Sequence, residues 1–167
     1  YEEMEKKQPN NFYFTQKSVA CFQGLKQFDK AEKLLLNKKE ANNQPIIFVE
    51  LGYNAQLEKD QNKADLYYKK ALDVVAKQPN YAYQIGQAYE QKSLLLQAYS
   101  TYEIAQKTNS SMNFDYQMAL LQGQMGNLDV MVVKLLDYSY ANINSTLSVQ
   151  NQLVFFMQDD AENVFAN

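Results

Sequence analysis

The 167-residue chain contains no His, no Trp and, since all sixteen basic residues are Lys, no Arg. Each absence closes a route. Without imidazole, the commonest metal ligand and the commonest acid–base group near neutral pH are missing. Without the guanidinium fork there is no bidentate capture of phosphate or carboxylate. A formal net charge of −3 and a pI near 5.0 come with no basic stripe, which argues against a nucleic-acid partner. The lone Cys21 has no partner for an internal disulfide. No segment approaches the ~18 apolar residues of a membrane span, so direct membrane insertion is not expected.

The little that looks catalytic reads better as structure. Asp159, Asp160 and Glu162 lack the oxygen-rich loop spacing of a metal site and suit the first turn of a helix. The hydroxyl side chains have no His to activate them, and Gly123 to Gly126 is not a phosphate-cradling loop. No enzyme activity, cofactor or metal is expected.

What is present is a repeat. Pro45 and Pro79, Gly52 and Gly86, Ala64 and Ala98, Tyr68 and Tyr102, and Ala71 and Ala105 each stand 34 residues apart. Ala31 lies 33 before Ala64, and Ala119 lies 33 after Gly86. Such a period, built from two amphipathic helices, marks a stacked helical array. Four units follow, over residues 10–43, 44–77, 78–110 and 111–143. Residues 1–9 read as the end of an earlier repeat, because Tyr1 precedes Leu35 by 34, and residues 144–167 read as capping or transition helices. Starting at Tyr1 rather than Met, the chain reads as a piece of a longer protein.

Local signals divide each unit in two. Pro45 suits a first helical position, and Asn62 is a candidate N-cap for the second helix of its unit. Ser93 is the corresponding cap in the third unit, and Thr108 to Ser111 forms the turn that follows. Gly126 stops a helix, Asn127 starts the next, and Asn144 or Ser145 could cap another. Gly52, Ala64 and Ala71 beside Tyr68 supply the small and large residues that a close helix crossing needs. Cys21 aligns with Ala88 and reads as a small buried filler.

At Leu51-Gly52, Ile85-Gly86-x-x-Tyr89, Ala64-x-x-x-Tyr68-x-x-Ala71 and Ala98-x-x-x-Tyr102-x-x-Ala105 the chain resembles the tetratricopeptide repeat family. The resemblance covers about residues 9 to 142. It implies an all-α fold, a right-handed α-solenoid of antiparallel helix pairs, with the first helix of each unit lining a concave groove. Carried across, the groove residues are Tyr13, Gln16, Lys17 and Gln23, then Ile46, Val49, Glu50, Tyr53 and Gln56. The third unit adds Asn80, Tyr83, Gln84, Gln87, Glu90 and Gln91, and the fourth adds Asn113, Tyr116, Gln117 and Gln124. The Lys/Asn/Arg clamp with which some members of the family hold a C-terminal carboxylate is missing, since Gln16, Ala20, Glu50, Asn80 and Gln84 occupy its positions. Carboxamides and phenols suit an extended peptide, because they both donate to and accept from a main chain.

The expectation is a non-catalytic scaffold or adaptor that holds a peptide segment of a protein partner. Asn and Gln number 35 and Tyr 13, which with the Lys-only basic set resembles the bias of a low-GC genome. That composition favours a bacterial cell-envelope or periplasmic setting over the cytoplasm. The rival expectation is an architectural spacer segment of a larger multi-repeat cell-envelope assembly protein with no peptide ligand in the groove; separately, exposed array ends are expected to allow self-association.

Overall fold

A computed structural model describes residues 11–42 and 44–158, and no strand occurs among the described residues. The helices are α1 (Phe12–Gly24), α2 (Phe28–Asn42), α3 (Ile46–Leu57), α4 (Gln61–Lys77), α5 (Ala82–Glu90), α6 (Leu95–Thr108), α7 (Asp115–Gln124), α8 (Leu128–Ala141) and α9 (Thr146–Gln158). Short 3-10 turns, Pro79–Tyr81 and Ile143–Ser145, lead into α5 and α9. Only three or four residues join α1 to α2, α3 to α4, α5 to α6 and α7 to α8, so each second helix folds back on its first. These pairs stack in chain order, α3 meeting α5, α4 meeting α6, and α8 meeting α9. The packing is consistent with a helical repeat.

The turn inside each pair is one motif repeated four times. Gln27 N–H bonds back to Phe22 O, Asp60 to Ala55 O, Leu94 to Tyr89 O and Asn127 to Gln122 O, all at 2.8–3.0 Å. The residue before each donor bonds three residues back and has positive φ: Lys26 56°, Lys59 71°, Ser93 56° and Gly126 86°. This is a Schellman closure, for which glycine is the unstrained choice, yet only Gly126 announces it in the sequence.

Several expected caps move as a result. Ser93 occupies the left-handed position, and Leu94 precedes α6 without a side-chain cap. Asp60, not Asn62, caps α4, its carboxylate accepting from Lys63 N–H at 3.0 Å. Asn127 does precede α8, but its amide donates to Gln122 Oε1 at 2.8 Å instead of capping. Ser145 turns back to donate to Asn142 O at 2.6 Å.

Packing follows the repeat closely. Ala31, Ala64, Ala98 and Met131 share one register position and are fully buried, as are Leu35, Tyr68, Tyr102 and Leu135 at the next. A Cβ added at Gly52 would run into the Tyr68 ring, and one at Gly86 into Tyr102. In the outer units the position of Gly52 and Gly86 holds Val19 and Ala119, and there the facing residue is Leu, not Tyr. A larger residue at the first position is thus accompanied by a smaller one facing it, and Ala119 with Leu135 nearly matches the volume of Gly86 with Tyr102. The core accordingly runs as successive clusters along the array, each bridging neighbours, as expected of a quasi-linear fold.

Cys21 corrects an expectation: it is exposed. Its register mates Asn54, Ala88 and Leu121 are buried. Asn54 shows why, donating to Phe28 O at 3.1 Å and accepting from Gln23 Nε2 at 3.3 Å, both in the preceding unit. This position faces the unit before, and no described segment covers it in the first. The readings of residues 1–9 as an earlier helix end, and of Asp159, Asp160 and Glu162 as first-turn acids, lie outside the described residues.

Candidate functional site

The residues singled out as groove lining lie on the first helices α1, α3, α5 and α7 or, for Asn80, Gln91 and Asn113, in the turns beside them, but the structure treats the four helices differently. On α5 and the turns on either side of it, Asn80, Tyr83, Gln84, Gln87 and Gln91 are all exposed. Their spacing of three, four, seven and eleven residues places them on one helical stripe. The stripe carries no charge. Within it the Gln87 amide donates to the Tyr83 hydroxyl at 2.9 Å, which fixes the phenol's direction and leaves its ring half exposed.

The same register on α3 is closed. Ile46 and Val49 belong to the main core cluster, and Glu50 is buried. Glu50 Oε1 accepts from Gln16 Nε2 of α1 at 3.0 Å, while Oε2 lies 2.9 Å from Lys92 Nζ in the turn after α5. That ammonium also sits 4.7 Å from the centre of the Tyr53 ring, a cation–π geometry that half-buries Tyr53. Gln56 is committed inward, accepting from the Tyr68 hydroxyl at 2.8 Å, as Glu90 does from Tyr102 at 2.7 Å. The groove set is therefore not wholly neutral carboxamide and phenol, because a buried ion pair stands at its centre.

At the ends, Tyr13 of α1 is half exposed, with Lys17 Nζ 5.2 Å from its ring centre. Tyr116 of α7 packs against Tyr138 of α8, ring centres 5.4 Å apart, and burial raises its phenol pKa above the ordinary value. Gln117 is half buried. Among the tyrosines expected in the groove, then, Tyr83 and Tyr13 present free ring surface, while Tyr53 and Tyr116 are engaged by neighbours.

Sequence reasoning missed two parts of this face. Lys92 lies in a turn, outside any helical pattern that would have flagged it. The second part is a cavity of about 390 Å³ between α7 and α9, lined by Leu120, Gln124, Gln152, Phe155 and Phe156. It continues the first-helix face past Gln117, and a fading repeat signal hid the contribution of α9.

The opposite, second-helix face changes character along the chain. Register positions holding Lys63 and Gln97, Leu66 and Ser100, Lys69 and Glu103, and Asp73 and Lys107 become Val130, Val133, Leu136 and Tyr140 on α8. All four are exposed, Tyr140 by 93%. Among the described residues, no helix is long and apolar enough to cross a membrane, and no group of three or more His, Cys, Asp or Glu side chains could hold a metal ion. No protein-family model matches the chain, and no curated protein matches it in sequence.

Proposed function

We propose that the protein is a non-catalytic scaffold or adaptor of the tetratricopeptide type, and that the first-helix face holds a peptide segment of a protein partner. The observation that carries this reading is the stripe along α5 and its flanking turns: five exposed, uncharged amide and phenol side chains in one line, beside an α3 whose one carboxylate, Glu50, is buried and ion-paired. Amides offer both donors and acceptors to an extended main chain, and the Tyr83 ring offers flat apolar area at low entropic cost. The adjoining cavity is lined by Leu120, Phe155 and Phe156 together with Gln124 and Gln152, a mainly apolar setting that suits one large apolar side chain of the bound segment.

Selection of a displayed random-peptide library on the folded protein tests this reading. Enriched peptides should lose about tenfold or more in affinity on Tyr83→Ala with Gln87→Ala, because a truncated aromatic anchor typically costs ~2 kcal/mol. Their affinity should change little with added salt, since the stripe is uncharged. Lys69→Ala, exposed on α4, should leave binding intact. Enriched peptides that bind the double variant as tightly as the parent would overturn the reading.

One observation favours a second reading, an architectural segment of a larger multi-repeat cell-envelope assembly protein. The apolar stripe on α8 fills four register positions that hold polar or charged residues in the second and third units, Leu66 excepted, and such a patch marks an interaction surface. Under this reading the chain self-associates, and Val133→Lys with Leu136→Lys shifts it to monomer in light-scattering chromatography while leaving helicity unchanged. A parent chain that stays monomeric at high concentration removes it.

A further inference from the structure

We infer that Lys92 is a positioning residue: by pairing with Glu50, whose other carboxylate oxygen holds Gln16, it completes a tie across three successive units and presets the spacing of the first-helix face. The geometry is specific. Glu50, on α3 of the second unit, gives one carboxylate oxygen to Gln16 of the first unit and the other to Lys92 of the third. The Glu50 and Lys92 side chains are only 4% and 15% exposed. The same ammonium lies over Tyr53, so a single cation orients an aromatic ring of the face and fixes where the third unit's turn stands relative to α3.

Burying such a pair is a poor way to gain stability, since desolvating both charges offsets most of their attraction. Two well-packed apolar side chains would hold the units together as firmly. What the ion pair adds is direction: fixed distances and angles among three groups, where apolar contact tolerates sliding.

The register shows that the tie is local. The position of Glu50 holds Gln84 in the third unit and Gln117 in the fourth, and the position of Lys92 holds Met125 in the fourth. The step from the second unit to the third is thus held by charge on this face. The next step, from the third to the fourth, carries no charge at either position. The exposed stripe Tyr83, Gln84 and Gln87 stands at that junction. Units one to three present a preset surface, and the α7 and α9 end, with its cavity, is left to adjust against it.

The test is made without ligand, so its outcome is independent of whether the face binds a peptide. Cys21 is the sole cysteine and exposed, and Leu96 on α6 is 70% exposed, so Leu96→Cys gives a second label site across the three units. Spin-label distances between the two sites would be measured in the parent, in Lys92→Arg, and in Glu50→Met with Lys92→Met. Lys92→Arg keeps the charge and should keep the parent's narrow distance distribution. The apolar pair should keep the parent's urea midpoint but broaden the distribution and shift it by ~2 Å or more, the scale of helix sliding at packed interfaces. Glu50→Gln with Lys92→Gln, which replaces the charges by amides, gives the same reading should the apolar pair not fold. An uncharged pair that folds and retains the parent's distribution overturns the inference.

Discussion

Gly86→Ala is expected to destabilise the protein by about 1–3 kcal/mol, and Tyr102→Leu in the same chain is expected to recover much of that loss. The added Cβ meets the ring and hydroxyl of Tyr102, which is fully buried and cannot swing aside. Tyr102 is held from three sides: its hydroxyl donates to Glu90, its ring stacks on Phe114 at 4.8 Å, and its helix is clamped between α4 and α7. Alone, Tyr102→Leu should also destabilise, by emptying space beside Gly86 and by leaving the Glu90 carboxylate without its donor. Together the two changes recreate the pairing that the fourth unit already has, Ala119 facing Leu135. A double-mutant cycle in urea should show a favourable coupling of order 1 kcal/mol or more, and the same cycle at Gly52 and Tyr68 should agree. Strictly additive effects would mean that volume matching is not what the two residues share.

That pairing explains both what was legible in the sequence and what was not. Gly52 with Tyr68 and Gly86 with Tyr102 repeat at 34 residues, so the crossing is readable from the sequence as small beside large. In the outer units both members change together, Val19 with Leu35 and Ala119 with Leu135, so the motif fades while the packing persists. The four Schellman turns were hidden for a different reason. A left-handed residue costs a lysine or serine only about 1 kcal/mol, which a well-packed helix pair tolerates, so glycine marks just one of them.

The candidate site was legible as a set of positions and not as a surface. Helical periodicity puts Ile46, Val49 and Glu50 on the same face as Asn80, Tyr83 and Gln84. Exposure depends on what the neighbouring units place over them, and a single helix's pattern contains no information about Gln16 and Lys92 closing over Glu50. Lys92 pairs with a residue 42 positions away, from a turn with no periodicity of its own. The tyrosines divide on the same principle: Tyr83 stands free, whereas Tyr116 is taken up by Tyr138 on the adjoining helix.

The buried tyrosines make alkaline pH the condition under which the array should fail. Tyr68, Tyr89 and Tyr102 are 4%, 0% and 0% exposed, and burial, the largest cause in each case, raises their phenol pKa well above the ordinary 10.0. For Tyr102 the hydrogen bond to Glu90 and that carboxylate's charge push in the same direction. Tyr67 and Tyr116 are raised by burial as well, and Lys63 is raised chiefly by its 2.7 Å bond to Glu32. Every one of these groups holds its proton more tightly folded than unfolded. Their stabilisation is therefore complete below about pH 10 and is lost as pH rises from there toward the folded-state values, because the unfolded chain releases protons first. Each tenfold gain in proton affinity on folding is worth about 1.4 kcal/mol once the unfolded phenol would have ionised, so a few such tyrosines match the stability of a small domain. Phenolate absorbance and helical circular dichroism, followed together through an alkaline titration, should show the last part of the phenolate signal appearing only as helix is lost. In Tyr68→Phe, Tyr89→Phe and Tyr102→Phe variants, the missing absorbance should belong to that late part, with helix loss moved to higher pH. Tyr102→Phe should in return lower stability near neutral pH by about 1 kcal/mol, having lost its bond to Glu90. Phenolate from these three residues forming while the helices remain intact would show that their hydroxyls reach water in the folded state, and that the crossings of α4, α5 and α6 in which they are buried are open to solvent.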